Sequence, residues 1–230
     1  AALGTYEGYI TYTNKNNPEE TYQVPFAIHT VEEGIDHIAV DPPAFTTAVE
    51  AGYNGIRWSV GLLFQLKSHM RTMDLFLVDP KTNQEIGFLG TLDGLGADEN
   101  IEYYLRGVMN EGNYYPLTGN PDHPIAYDYK QTEPGLYKIR LVGTNDQGKT
   151  FSSDAPVYYS VTQPTLNLSD DSGVYEYSAD QQTVSVTGSV YDKDVEAMKA
   201  GGMNVSQADN KVVYTMPGSG GGLGGGTKSV

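Results

Sequence analysis

The side chains best suited to chemistry in this sequence are the oxygen-bearing residues of one acidic loop. Asp93, Asp98, Asn100 and Glu102 follow one another closely, and Asp170-Asp171 forms a second acidic pair. Carboxylate and amide oxygens are the ligands that calcium, a hard cation, prefers, although neither group has the spacing of an EF-hand. We therefore predict a candidate calcium site at the first group. The alternative is that these residues are ordinary solvated turn acids.

Catalytic signatures are absent from the sequence. It contains no Gly-x-Ser-x-Gly elbow, no phosphate-binding loop and no His-Glu-x-x-His pair. Because there is no cysteine, disulfides, thiol nucleophiles and zinc sites with Cys ligands are excluded. The histidines are widely spaced and are read as surface residues: His29, His37, His69 and His123. We predict that this chain is not an enzyme.

Composition and charge narrow the class of protein. The net charge is −15, with 14 basic residues scattered along the chain, so nucleic acid and anionic membranes are unfavourable partners. The 18 Tyr, 27 Gly and 12 Pro favour strands and turns. No apolar run is long enough for a transmembrane helix. A cysteine-free chain rich in Tyr, Thr and Asn is typical of bacterial exported proteins, which predicts an extracellular or cell-surface location.

Residues 4–30 show the period-two pattern of a β-hairpin. Apolar residues alternate with mostly polar ones. The apolar set consists of Tyr6, Gly8, Ile10 and Tyr12, then Tyr22, Val24, Phe26 and Ile28. This alternation predicts two half-buried strands. Pro25 cannot donate to a ladder, so the second strand is predicted to lie at a sheet edge or to carry a bulge. That edge is where we expect a partner strand or a neighbouring domain. The chain starts almost directly on strand residues, so we expect it to be part of something longer.

Residues 56–67 form the clearest single strand in the sequence. One face carries Ile56, Trp58, Val60, Leu62, Phe64 and Leu66. Trp58 is the only Trp, and a large aromatic dominates the burial of a core. We therefore expect Trp58 at the centre of the core, with a ligand-stacking platform as the alternative.

Two further hairpins, 73–89 and 135–161, are predicted to complete a sandwich. Between them, the glycine-rich segment 91–124 is predicted to be a long irregular insertion. Its aromatic residues are Tyr103, Tyr104, Tyr114 and Tyr115. We interpret them as anchors that hold the segment to the sheet, the alternative being that they contact sugars or proteins.

The pattern divides the chain into three parts. Residues 1–162 are predicted to form an all-β, fibronectin-III/Ig-like antiparallel β-sandwich. Residues 163–216 are predicted to form a second small β module with one short helix, 192–200, capped by Asp192 or Asp194 and ended by Gly201-Gly202. Residues 217–230 are predicted to be a Gly-rich flexible tail or linker.

Several stretches resemble the fibronectin-III-like and Ig-like domains C-terminal to the catalytic domain of Gram-positive subtilisin-like serine proteases. They are GTYEGYITYTNKNNPEETYQVPFA (4–27), MDLFLVDPKTNQEIGFLG (73–90), PGLYKIRLVGTNDQG (134–148) and the segment 183–194. The nucleophile motif Gly-Thr-Ser-Met-Ala of these extracellular and cell-envelope proteases is missing. The resemblance thus implies a non-catalytic accessory region that braces or spaces a catalytic domain and shapes substrate access.

Two other functions remain open at the level of the sequence. One is an extracellular structural or adhesive protein that assembles, also with copies of itself, by β-strand addition. The other is a carbohydrate-binding module that uses exposed Tyr.

Overall fold

The computed structural model describes residues 2–49, 58–170, 185–210, 213–216 and 226–229, and within them the chain is almost entirely β. One α-helix, α1 (Lys193–Ala200), occurs in the described part. The strands, in chain order, are β1 Gly4–Asn14, β2 Asn17–Thr30, β3 Ile35–Asp41, β4 Ala44–Thr46, β5 Ser59–Leu66, β6 Thr72–Val78, β7 Glu85–Asp93, β8 Glu102–Asn110, β9 Asn113–Pro116, β10 Lys130–Gln131, β11 Gly135–Thr144, β12 Thr150–Ser160, β13 Thr165–Leu168, β14 Gly188–Tyr191, β15 Val213–Met216 and β16 Gly226–Ser229.

The main body is a β-sandwich, as the sequence predicts. A seven-stranded sheet has the order β10-β9-β7-β6-β11-β12-β4, and a three-stranded sheet has the order β3-β5-β8. Neighbouring strands are antiparallel except β4, which runs parallel to β12 at the sheet edge. One buried cluster contains side chains from both sheets, so the two layers share a single hydrophobic core.

Strand β5 shows how the sequence pattern produces this core. Val60, Leu62, Phe64 and Leu66 are all buried, and they fall on one face because successive side chains of a strand alternate. The opposing sheet contributes Leu75 and Leu77 of β6 and Ile139 and Leu141 of β11 to the same cluster. The predicted inward face of β5 is therefore confirmed from residue 60 onwards; Ile56 lies outside the described residues.

The expectation that Trp58 is the centre of the core is wrong. Trp58 precedes β5, is only half-buried, and is not a member of the buried cluster. Its indole N–H donates to the carbonyl oxygen of Val49 at 2.7 Å. An indole N–H needs a polar partner, and a backbone carbonyl at the edge supplies one that the apolar core does not.

The prediction that 91–124 is an irregular insertion also needs correction, because the segment contains β8 and β9. Its glycines occupy local turns and bulges: Gly107 and Gly112 have φ of 67° and 75°. Such values suit glycine at a turn and leave the flanking residues free to pair. Strand β8 completes the three-stranded sheet beside β5.

Helix α1 packs on the sandwich through a second, smaller cluster. Val195 and Met198 of the helix are buried together with Met203 and with Tyr158 of β12. Asp192 caps the helix by accepting from the backbone N–H of Asp194 at 2.9 Å, and Gly201 is its C-cap. Helix and caps are therefore as predicted. The boundary at residue 162 stays a prediction.

The remaining short strands form two separate pairs, β13 with β14 and β15 with β16. The strand predicted at 174–177 lies outside the described residues. Residues 226–229, predicted to belong to a flexible tail, instead form β16 and pair with β15. Backbone pairing requires no particular side chains, which is why composition does not reveal it.

Candidate interaction surface on the first hairpin

The first hairpin, β1–β2, is a two-stranded sheet of its own. Its register pairs Gly4 with Thr30 and continues without a shift to Thr13 with Thr21. No hairpin residue belongs to either buried cluster. The predicted hairpin is thus confirmed, but the prediction that its strands are half-buried is wrong. The rest of the described chain packs on neither face.

The register places most of the large apolar residues of both strands on one side, whereas Tyr9, Pro25 and Ala27 lie on the other. Directly opposite residues of an antiparallel pair share a face, and the pairs include Tyr6–Ile28, Ile10–Val24 and Tyr12–Tyr22. We call this side the apolar face; its large side chains are Tyr6, Ile10, Tyr12, Tyr22, Val24, Phe26 and Ile28. Their exposed fractions run from 37% for Phe26 to 60% for Tyr22. A contiguous exposed patch of this kind marks an interaction surface.

Gly8 and Phe26 form a flatter pair within the apolar face. A Cβ added at Gly8 would lie 2.9 Å from Cζ of Phe26, so the aromatic ring lies across the glycine. This covers backbone that a glycine otherwise leaves open, the arrangement known as aromatic rescue. Gly8 is therefore required for the low profile of the surface at this point.

The opposite side of the hairpin, the polar face, carries Thr11 and Gln23 as a cross-strand pair, together with Thr5 and His29. Thr5 Oγ1 and His29 Nδ1 are 3.0 Å apart, and His29 is exposed, as the sequence predicts. At the tip, Glu20 accepts hydrogen bonds from Tyr22 and Asn14. The bond from Tyr22 is the main cause that lowers the pKa of Glu20.

Pro25 lies at an outer edge, as predicted, since no strand other than β1 pairs with β2 among the described residues. The expected alternative of a bulge at Pro25 does not occur, because the register is continuous there and shifts only near Asn14. A proline within a continuous ladder has its nitrogen on the unpaired side. The edge of β2 therefore lacks a donor at residue 25, whereas β1 contains no proline.

An open cleft of about 500 Å³ lies at the base of the hairpin, lined by residues including Leu3, Glu32 and Lys67. Lys67 Nζ is 2.7 Å from Glu32. Nearby, His37 contacts Asp36 at 2.9 Å and Glu102 at 3.2 Å. The hydrogen bond with Asp36, followed by that with Glu102, raises the pKa of His37. These contacts hold the base of the hairpin in a network of charged groups.

The four predicted calcium ligands have separate roles in this structure. Asp93 accepts from the backbone N–H of Leu95 at 3.0 Å, and Glu102 contacts His37. The backbone N–H of Asp98 donates to Tyr103 Oη at 2.8 Å. Asn100 lies in a tight turn with φ of 61°. Among the described residues, no three His, Asp or Glu side chains are grouped closely enough to hold a metal ion.

The second predicted group also remains without a metal assignment. Asp170 follows β13, and Asp171 lies outside the described residues. Calcium binding by this chain stays a prediction, which a calorimetric titration with calcium tests directly.

Three of the four tyrosines in the segment 91–124 anchor it, as interpreted from the sequence. Tyr103 stacks on Phe64 with ring centroids 5.6 Å apart, and Tyr104 donates to the carbonyl oxygen of Asp41 at 3.2 Å. Tyr114 packs against the core. Tyr115 remains 41% exposed.

The sequence contained the signal for the apolar face, since the alternation in residues 4–30 separates its apolar and polar sides. What sequence reasoning missed is that the apolar side is uncovered. An identical alternation in β5 is buried, so the pattern alone does not distinguish the two cases.

Comparison with known proteins leaves the family open. No family model matches the chain, and no curated protein matches it. One similar solved structure is a calcium-stabilised adhesin that helps an Antarctic bacterium reach out and bind ice, with 10% identity over 74% of this chain and a TM-score of 0.26. Another is murine CEACAM1b, with 16% identity over 78% of this chain and 72% of that chain and a TM-score of 0.25.

The chain spans 35% of the length of the adhesin. At such low TM-scores, neither likeness decides the topology or the function. The predicted relation to subtilisin-like proteases stays a prediction.

The described residues contain no helix that is long and apolar enough to cross a membrane.

Proposed function

We propose that this chain is a non-catalytic structural module of an exported bacterial protein, and that its working surface is the apolar face of β1–β2. The observation that carries the proposal is the exposure of this face, with every large side chain at 37% or more. An isolated two-stranded hairpin is only marginally stable in water. A partner that covers its apolar side stabilises it.

The parent protein in this proposal is a secreted subtilisin-like serine protease, which the resemblance of residues 4–27 and 73–90 supports. The module would brace the catalytic domain or space it from the cell wall. Reading the gene upstream of the codon for Ala1 tests this relation. A catalytic domain with a Gly-Thr-Ser-Met-Ala motif supports it, and an upstream reading frame without a protease domain contradicts it.

An adhesive surface protein that assembles by strand addition is the second candidate. The outer edge of β1 favours it, because β1 pairs with β2 alone among the described residues and a long strand without proline offers unpaired backbone groups to another strand. Pro25 removes one donor from the edge of β2, so β1 is the better acceptor of the two. In both candidates, the hairpin is the part of the chain that engages the partner.

Surface retention on the producing cells tests the working surface. We expect antibodies against the chain to label intact cells, and a chain with Ile10→Lys and Val24→Glu to be lost from the surface. These residues are cross-strand partners on the apolar face, and the new charges pair with each other to preserve the hairpin.

The matched control for this experiment is Thr11→Lys with Gln23→Glu, the adjacent cross-strand pair on the polar face. It introduces the same charges in the same strands and is expected to be retained. Equal retention of both variants contradicts the assignment of the apolar face. Labelling only after lysis contradicts export.

A further inference from the structure

We propose that the apolar face binds the apolar face of a second copy of this chain, so that two hairpins stack face to face in antiparallel orientation. The inference rests on the proposed function, because it names the partner of the surface described there.

The area of the apolar face fits a dimer. Its seven large side chains are each about half exposed, which corresponds to about 700 Å² per copy for residues of roughly 200 Å² each. Two such faces bury about 1,400 Å² in total, within the range of specific protein interfaces. The apolar face is thus large enough to form a stable contact with the apolar face of a second copy.

The chemistry of the face favours an apolar partner of the same shape. Its seven large side chains carry no charge, and their only polar atoms are tyrosine hydroxyls. The carboxylate of Glu20, which accepts from the Tyr22 hydroxyl, borders the face at the tip, and Thr30 borders it at the base. From Tyr6 to Tyr12 the face is about 20 Å long, within a strand of 11 residues. A second copy supplies an apolar surface of the same length, width and twist. Tyrosine hydroxyls reach solvent at the rim of such a stack and do not require buried partners.

The order of the pairs along the hairpin is compatible with an antiparallel stack. From base to tip they are Tyr6–Ile28, Gly8–Phe26, Ile10–Val24 and Tyr12–Tyr22. In antiparallel orientation the flat Gly8–Phe26 pair of one copy lies over the aliphatic Ile10–Val24 pair of the other. The Tyr6–Ile28 pair of each copy then lies over the Tyr12–Tyr22 pair of the other.

Electrostatics favours the antiparallel over the parallel arrangement. Each copy carries a net charge of −15, and both sandwiches lie at the bases of their hairpins. An antiparallel stack separates the two bases by about the length of the hairpin, roughly 35 Å. This is several times the Debye length of about 8 Å at physiological salt. A parallel stack would place the two acidic bodies side by side.

Sedimentation equilibrium of the purified chain between about 1 and 100 μM tests the dimer. We expect wild type to dimerise in this range and the Ile10→Lys, Val24→Glu variant to weaken association at least about a hundredfold. The Thr11→Lys, Gln23→Glu variant is expected to dimerise like wild type. Circular dichroism of all three chains checks that the sandwich remains folded. A wild type that is monomeric throughout overturns the inference.

Single cysteines test the orientation, because the chain has none of its own. We expect an equimolar mixture of Tyr6→Cys and Tyr12→Cys chains to form mixed disulfide dimers on mild oxidation, since an antiparallel stack brings base and tip together. Cross-linking of Tyr12→Cys chains with themselves in preference to the mixed pair indicates parallel packing and overturns the antiparallel arrangement.

The inference and the proposed function fail in different ways. If the apolar-face variant is lost from the cell surface while wild type is monomeric, the face is a working surface but its partner is another protein. If the variant is retained like wild type, the proposed function fails as well.

Discussion

At the scale of single residues, two effects decide which positions are sensitive to substitution. One is a backbone atom that lies close to a glycine, and the other is the geometry of an ion pair. Two glycines of the short turn Gly94–Gly96 illustrate the first effect. A Cβ on Gly94 would lie 1.9 Å from the backbone oxygen of Met70, whereas a Cβ on Gly96 would meet nothing within 4 Å. The two positions are only two residues apart in the sequence, yet they have opposite steric freedom.

We predict that Gly94→Ala lowers the free energy of unfolding by about 1–3 kcal/mol, because the backbone of Met70 must move to admit the methyl group. Gly96→Ala is the matched control and is expected to change it by less than about 0.5 kcal/mol. Urea unfolding of the two variants measures both. Equal stabilities would show that the turn adapts without strain.

Arg140 and Asp154 form the best-defined ion pair of the described residues. Arg140 Nε and Nη2 donate to the two carboxylate oxygens of Asp154 at 2.7 and 2.9 Å. The pair is largely shielded, with side chains 15% and 25% exposed. The hydrogen bond from Arg140 is the main cause that lowers the pKa of Asp154.

We predict that Asp154→Asn destabilises the protein by about 1–2 kcal/mol at neutral pH, the scale of a hydrogen bond to a charged group. The lowered pKa means that ionised Asp154 stabilises the fold above its unfolded-state pKa of about 4. This contribution is lost as the pH falls below that value through the folded-state pKa. The difference in the free energy of unfolding between variant and wild type, measured by urea unfolding, should therefore become smaller below about pH 4.

Glu33→Gln is the control for this pH dependence. Its partner Lys149 is 57% exposed and Glu33 is 48% exposed, and exposed ion pairs contribute little. If the loss of unfolding free energy in Asp154→Asn does not change with pH, the stabilising role assigned to ionised Asp154 is contradicted.

At the scale of elements, one carboxylate joins helix α1 to the sandwich. Asp194 accepts from Ser160 Oγ at 2.6 Å, from Thr162 Oγ1 at 2.7 Å and from the Tyr158 hydroxyl at 3.2 Å. Burial acts to raise the pKa of Asp194, but these hydroxyl bonds outweigh it and the pKa is lowered. Burial together with the Asp194 charge raises the pKa of Tyr158 to about 12.

We predict that Asp194→Ala costs about 1–3 kcal/mol, because three buried or half-buried hydroxyls lose their acceptor. Amide hydrogen exchange should accelerate selectively in α1 while the strands of the sandwich remain protected. Glu196→Ala, in the same helical turn but 58% exposed, is the control. Uniform acceleration over the whole chain would indicate that the helix is not a separate unit of stability.

At the scale of the whole molecule, the sandwich and the first hairpin are independent. The buried cluster of the sandwich draws on β3 to β12 and includes no residue of β1 or β2. Among the described residues, the hairpin meets the body at its base, around Glu32 and Lys67. The core of the body is therefore complete without it.

We predict that a chain lacking residues 2–30 still folds, with a calorimetric melting temperature within about 4 °C of wild type. The physical reason is that no core contact is removed. The shortened chain should also stay monomeric where wild type associates. Loss of the cooperative transition on deletion would show that the hairpin contributes to the core after all.

The sequence by itself determined the positions of most strands, the inward face of β5, the helix with its Asp192 and Gly201 caps, and the edge position of Pro25. All of these depend on local chemistry: side-chain alternation, capping and the missing N–H of proline. The apolar and polar sides of the first hairpin could be assigned in the same way, so that half of the candidate site was predictable from the sequence.

Only the tertiary structure decided which alternating strands are covered. Residues 4–28 and strand β5 have the same period, but β5 is the central strand of the three-stranded sheet and packs one face on the seven-stranded sheet, whereas the hairpin belongs to neither sheet. The tertiary structure likewise placed Trp58 at the edge and gave Glu102 a partner, His37, far away in the sequence. Burial and pairing of this kind depend on which distant segments meet, whereas a periodic pattern records only that a strand has two different sides.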